Sequence, residues 1–254
     1  MLHATCARTL IGAGGLAAAL ACLPAGAQEG RTTSAWQFEF IPYLWVPGVH
    51  SDLRLGPLPQ SSSKVSSSTV LGALDFGAMG TLEARKGPWG GLLDMQYVKL
   101  GLSDASVGGV LGGVDVTYKQ QIYTVAGLYR VFDGPVAVDV LGGGRYVNLE
   151  TEVGIAPNLP LLGRRLNDSV GWWNGIVGAR VIASVSDKWS LMGYVDAGWG
   201  GSTNSWQAIA GASYQYSPTV SLKFGYRYLS FQRDRGLVDR MGLGGLYAGA
   251  GFKF

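Results

Sequence analysis

From residue 35 to the end, apolar and polar positions alternate with period two in ten separate segments, as expected for strands with one greasy face. In the first, 35–46, Trp36, Phe38, Phe40 and Leu44 alternate with Gln37, Glu39 and Tyr43. Pro42 there requires a bulge or a weak ladder position. In the second, 74–85, Leu74, Phe76, Ala78, Leu82 and Ala84 share one face, and Asp75, Thr81, Glu83 and Arg85 the other. In the third, 89–100, Leu93, Met95 and Tyr97 oppose Asp94 and Gln96. Further strands are expected over 114–130, 136–149, 170–185, 189–200, 206–216 and 220–231. The last, 241–254, carries Leu246, Ala248, Ala250, Phe252 and Phe254 on one face, with Gly245, Tyr247, Gly249, Gly251 and Lys253 between them.

The connections alternate in length. Tight turns fall at Lys86-Gly87-Pro88, Phe132-Asp133-Gly134-Pro135, Ser186-Asp187-Lys188 and Ser217-Pro218-Thr219. The others are mostly longer: 47–72, with Pro47, Pro57, Pro59, a serine cluster and one helical turn over 68–74; the Gly-rich 101–113; 150–169; 201–205; and the charged 232–240. An even strand number with long loops at one end and short turns at the other is the pattern of up-and-down outer-membrane barrels. The segments also suit a tilted spanning strand of about 9–11 residues. Trp36, Trp45, Trp89, Trp172, Trp173, Trp189, Trp199 and Trp206 sit near strand ends, as interfacial girdles do. A soluble β-sandwich explains the alternation but not the loop asymmetry. The expected fold class is therefore all-β: a transmembrane antiparallel up-and-down β-barrel of about ten strands over 35–254.

The N-terminus supports export. Arg8 gives a positive start, 10–23 is an uncharged apolar run, and Pro24-Ala25-Gly26-Ala27 offers a cleavage site. Residues 1–27 are expected to be a cleaved signal peptide, the run being too short to span a bilayer. Lipoprotein processing at Cys22 is the rival, with Leu20 a poor fit beside the cysteine. Residues 28–34 form a short periplasmic lead. Both cysteines, Cys6 and Cys22, fall in the signal, so the mature chain has no disulfide, thiol nucleophile or Cys-ligated metal. It holds 19 basic and 17 acidic residues, which leaves no electrostatic footprint for nucleic acid. The 40 glycines are roughly twice average usage.

The closing strand, ending on Phe254, resembles the C-terminal strand of bacterial outer-membrane barrels, in which a terminal aromatic after alternating apolar residues is the assembly signal; Phe252 and Phe254 take that role by resemblance. Pro42-Tyr43-Leu44-Trp45, Glu83-Ala84-Arg85-Lys86-Gly87, Gly178-Ala179-Arg180, Trp189-Ser190-Leu191, Asp196-Ala197-Gly198-Trp199-Gly200 and Gly225-Tyr226-Arg227-Tyr228-Leu229 resemble a proteobacterial family of small, porin-like outer-membrane β-barrel proteins, across nearly the whole mature chain. The likeness implies fold and location rather than an activity. Where that family has Trp-x-Asp-Pro, this chain reads Trp172-Trp173-Asn174-Gly175, so a function that needs the acid is in doubt.

Strand phase gives the expected lumen charges: the acids Glu39, Asp75, Glu83, Asp94, Asp115, Asp139 and Asp196, and the bases Arg85, Lys119, Arg145, Arg180, Lys223, Arg227 and Lys253. The strand over 114–130 is ambiguous, because Gln120 falls on its apolar face. Equal numbers of acids and bases in a narrow lumen fit a salt-bridged interior rather than a single-sign filter. Together with bulky Tyr43, Trp45 and Tyr247, they predict a largely closed lumen. The expected function is a structural or narrow-pore outer-membrane protein. One alternative is a small-solute diffusion channel. The other is a lipid- or peptide-hydrolysing enzyme using His50 and rim carboxylates. His50-Ser51-Asp52 are hydrolase residue types, but sequence neighbours rarely assemble a triad, and no G-x-S-x-G elbow occurs. A single mature histidine cannot supply a histidine cluster for zinc, and the glycine runs are weak as phosphate loops, so no metal or cofactor is expected. Expected partners are outer-membrane lipids, lipopolysaccharide (within reach of Arg164-Arg165) and the barrel-assembly machinery, and no nucleic acid. The sequence names no solute.

Overall fold

The computed structural model describes residues 34–53, 61–102, 114–155, 165–201, 203–233 and 238–254. Residues 1–27, expected to be the export signal, and 28–33 of the lead lie outside them. The described elements are β1 (Gln37–Leu53), β2 (Ser61–Val65), α1 (Ser67–Gly72), β3 (Leu74–Lys86), β4 (Trp89–Leu102), β5 (Val114–Phe132), β6 (Val136–Ile155), β7 (Arg165–Ser184), β8 (Trp189–Gly200), β9 (Thr203–Gln215), β10 (Val220–Arg233) and β11 (Val238–Lys253).

Consecutive barrel strands pair antiparallel, from β3 through β11, and β1 joins both β3 and β11. Ten strands thus close into a ring, and β2 stands outside it, paired to the upper part of β1. Closure leaves no free sheet edge around most of the wall, which is what a strand structure needs in hydrocarbon. The expected tight turns all lie at one end. Gly87 there has φ 56°, a left-handed conformation that suits glycine.

Side chains alternate between the wall's two faces. On β8, Leu191, Val195 and Trp199 are exposed, while Ser190, Tyr194 and Asp196 are buried. The same holds around the ring: Phe40, Leu82, Val125 and Leu246 face outward, and Asp94, Gln96, Asp139 and Arg145 are buried inside. This is a soluble protein turned inside out, the distribution of a membrane-spanning barrel. Trp189 and Trp199 sit at opposite ends of β8, both exposed. Ten residues of tilted strand set them about 25 Å apart along the barrel axis, the height of the apolar band of such barrels.

Three expectations need correction. Residues 47–53 are not loop: β1 runs on to Leu53, and β2 and α1 occupy much of the remainder of the expected 47–72 loop. Pro42 and Pro47 are tolerated inside this strand for positional reasons. The β1–β11 ladder skips Ile41 and Pro42, and no strand pairs with Pro47 on its other flank. Trp45 and Trp172 are not girdle residues. Trp45 is buried in the interior, and Trp172 packs against the same cluster. Finally, β5 has the opposite phase to that expected. Gln120, Ile122, Thr124, Leu128 and Arg130 are its buried positions, so Gln120 was the residue that marked the inner face.

Candidate functional site: the barrel interior

The interior is stacked in layers from the turn end upward. Nearest the turns, β1 and β10 place Glu39 and Lys223 3.0 Å apart, and Ser221 donates to Glu39 at 3.3 Å. Lys253 of β11 donates to Gln215 at 3.1 Å. Glu39, Lys223 and Lys253 help line a cavity of about 660 Å³ that also meets Arg85, Arg130 and Arg180.

An arginine-rich knot borders the same cavity. Asp139 of β6 accepts from Arg85 of β3 at 2.9 Å, from Arg180 of β7 at 2.8 Å, and from Arg130 of β5. Arg180 also grips Glu83 of β3 with both ends of its fork, at 2.6 and 2.7 Å. That bidentate bond spans the barrel from β7 to β3 and fixes geometry as well as charge.

The next layer is a continuous chain of partners. Asp94 of β4 accepts from the Tyr43 hydroxyl at 2.7 Å, Thr81 at 2.8 Å, Gln96 at 2.8 Å and Arg227 at 3.2 Å. Arg227 of β10 donates to the Tyr43 oxygen at 2.9 Å and to Gln207 at 2.9 Å, and its guanidinium lies 5.1 Å from the centre of the Trp45 ring. Gln207 donates to Asp196 at 3.1 Å, as does Tyr194 at 2.8 Å. Arg145 of β6 closes the chain on Asp196 with bonds of 2.9 and 2.5 Å. Both side chains of that last pair are 0% exposed. Charges so deep are tolerable because nearly every lone pair and N–H has a partner.

A dry layer roofs the charges. Trp45, Ile122, Val147, Leu229, Phe231 and Leu243 form one buried cluster, and each is 3% exposed or less. On β10 the order is legible along one strand: Lys223, then Arg227, then Leu229 and Phe231. The roof lies on the loop side of the charges, and a cavity of about 130 Å³ lies beneath it, among Tyr43, Asp94, Arg180 and Arg227.

Two expected lumen residues stand elsewhere. Lys119 is on the β5 face opposite Gln120 and pairs with Glu152 at 2.8 Å and Glu150 at 3.7 Å, all three part-exposed near the strand ends. Asp75 sits at the irregularity that begins β3 and pairs with Lys99 at 3.3 Å, again well exposed. The backbone of Asp115 pairs with Gly154, and its side chain lies outside the described set, as does that of Arg165; Arg164 is wholly outside it. His50 is exposed on β1, and its register neighbours Lys64 and Gly242 offer neither a hydroxyl or thiol nor a carboxylate. Among the described residues, no group of His, Cys, Asp or Glu is placed to hold a metal. Arg130, Tyr194 and Gln207 are among the interior residues that sequence reading missed. For Arg130 the signal was present: Gln120, Thr124 and Arg130 share one phase.

No protein-family model matches the chain, and no curated protein matches it. Similar solved structures include the outer-membrane protease OmpT of Escherichia coli, at 9% identity and TM-score 0.48, covering 87% of this chain and 98% of that one. The translocator domain of the autotransporter NalP of Neisseria meningitidis gives 14% identity and TM-score 0.44, covering 87% and 90%. The attachment invasion locus protein Ail of Yersinia pestis gives 14% identity and TM-score 0.37, covering 87% and 100%. Identities this low transfer no activity.

Proposed function

We propose that the chain is an exported outer-membrane barrel whose lumen is closed at rest, a structural or narrow-pore protein rather than an open channel. The observation that carries this reading is the stacking of buried, cross-barrel ion pairs beneath a dry apolar roof. A hydrated ion crossing the interior has to break the pairs and then pass the roof, and both steps oppose it. Residues 1–27 act as the export signal, and 28–34 as the lead. The turn end faces the periplasm and the loop end faces out. The wall contacts outer-membrane lipids, and the loop end contacts lipopolysaccharide. Phe252 and Phe254 present an outward aromatic edge at the seam for the assembly machinery. The inward groups Glu39, Glu83, Arg85, Asp94, Asp139, Arg145, Arg180, Asp196, Lys223, Arg227 and Lys253 act as the closing network.

The deciding experiment is single-channel recording on protein refolded into planar bilayers. Silence, or small and infrequent steps, is expected. A large steady conductance would replace this reading with the diffusion channel. Hydrolysis of a lipid or peptide that disappears in His50→Ala would replace it with the enzyme.

A further inference from the structure

The ring of strands has one open seam. β1 pairs with β3 only from Gln37 to Pro42, against Gly80 to Arg85. Its next partner on that flank is β2, beginning at Val49. Among the described residues, no strand therefore pairs with 43–48 of β1 on that flank. Phe38 and Phe254 exchange backbone bonds, so even-numbered β1 residues turn their N–H and C=O groups toward β11. Those of Tyr43 and Trp45 then face the seam, as does the carbonyl of Pro47, which has no N–H to leave unmatched. Hydrocarbon cannot hydrogen-bond such an edge, so it needs a cover. The helix α1 lies against β1 there, with Val70 buried and Leu71 exposed.

Against α1 lies a cavity of about 40 Å³. Leu44 and Leu71, both exposed, belong to its outer rim; Trp45 and Leu243, members of the interior apolar cluster, belong to its inner wall. The slot thus joins the lipid-facing surface to the dry roof of the lumen. Gly77 lines the slot, and a Cβ there would meet nothing closer than Leu74 Cδ1 at 3.7 Å, so there is room for a larger side chain to enter it. The lining is apolar apart from Tyr118, Gln120 and the Trp45 indole N–H. Trp45 is only 2% exposed, and among the described residues its Nε1–H finds no acceptor. A buried indole normally finds an acceptor, and an unmatched donor is costly.

We propose that this seam is a lateral binding slot for a single acyl chain, whose carbonyl or carboxyl oxygen accepts the Trp45 Nε1–H bond while the chain runs out past Leu44 and Leu71 into the hydrocarbon. The helix α1 is its lid. A cavity of about 40 Å³ admits only a water-sized group, so the guest has to lift Val70 to enter. The slot rests on the membrane-spanning reading but not on the lumen being closed. A free fatty acid and the chain of a membrane lipid share this chemistry.

The test uses the purified barrel in phospholipid vesicles, its folded state shown by heat-modifiable migration, with two photo-crosslinking probes: palmitic acid bearing a diazirine, and phosphatidylcholine with a diazirine on one chain. Cross-links are expected to concentrate in 43–48 and 70–79. Labelling by the fatty acid alone assigns a free acid as guest; labelling by both assigns lipid chains as well. Gly77→Leu, which fills the slot, abolishes this labelling, and Val70→Ala, which thins the lid, increases it. Trp45→Phe keeps the shape and removes the donor, and it weakens fatty-acid binding by about three- to tenfold. Labelling spread evenly around the belt, or unchanged by Gly77→Leu, overturns the slot. Labelling lost in Gly77→Leu but unchanged in Trp45→Phe overturns the assignment of Trp45 as the head-group donor. A chain that never yields the heat-modifiable form overturns the spanning reading, and the slot with it.

Discussion

Arg145 and Asp196 form the most deeply placed ion pair of the interior, and what holds them is local. Arg145 is aimed by β6, and its fork matches the two carboxylate oxygens. Thr124 accepts from its Nε at 3.3 Å, while Tyr194 and Gln207 fill the remaining capacity of Asp196. Removing one partner leaves a charge with no water to solvate it. Arg145→Ala is therefore expected to destabilise the barrel by about 3–5 kcal/mol, measured as a lower urea midpoint for unfolding from vesicles. The double variant Arg145→Met with Asp196→Leu is expected to recover most of that loss, since it removes the stranded charge along with the bond. Equal losses in the single and double variants would mean that packing, not charge, sets the cost.

At the scale of elements, the β1–β11 seam closes the barrel. Phe254 contributes two backbone bonds to Phe38, at 3.0 and 3.1 Å, and its ring stacks on Phe38, which in turn stacks on Trp36. Deleting Phe254 is expected to reduce the heat-modifiable barrel recovered from the outer membrane, because the last rung and its aromatic contact are lost together. Undiminished recovery would remove Phe254 from assembly. The connections give a second prediction. Ser68 in α1 and Asp187 in the β7–β8 turn are exposed at opposite ends of the barrel. Cysteines placed there are expected to label oppositely with an impermeant maleimide on intact cells, Ser68→Cys reacting and Asp187→Cys protected. The native cysteines, Cys6 and Cys22, both lie within residues 1–27, the proposed export signal, whose removal would take them out of the assay.

For the whole molecule, the proposed closure is expected to depend on Arg227. It ties β10 to β1 through Tyr43, to β4 through Asp94 and to β9 through Gln207. Arg227→Ala is expected to turn a silent barrel into one with small steps. Those steps should favour cations, because Asp94 is then left as unpaired negative charge facing the lumen. The reversal potential in a salt gradient checks the sign, and anion preference would show that the path runs beside the arginine knot instead. The steps stay small because Leu229 and Phe231 still narrow the same strand's inner face.

Much of this was legible in the chain, and the physical reason is periodicity. A strand wall between lipid and lumen forces alternation at every step, so the ten strands, their tight turns and the inward placement of Asp94, Asp139, Arg145, Asp196 and Arg227 could be read from phase alone. Reading failed where phase is weakly written. In β5 the polar residues were too few and too far apart to outvote its apolar ones, so Lys119 was turned inward and Arg130 missed. Irregular geometry defeated it at Asp75, where an offset in the ladder breaks the alternation. Prolines and serines concealed the upper part of β1, because whether Pro47 can stay in a strand depends on whether a neighbour needs its missing N–H. Which charge meets which belongs to the closed ring. Arg180 and Glu83 are 97 residues apart, and only the curvature that brings β7 across from β3 makes them partners. The seam between β1 and β3 is likewise a property of the ring. No single strand shows that its neighbour has stopped, and only the assembled wall decides where a helix covers the gap.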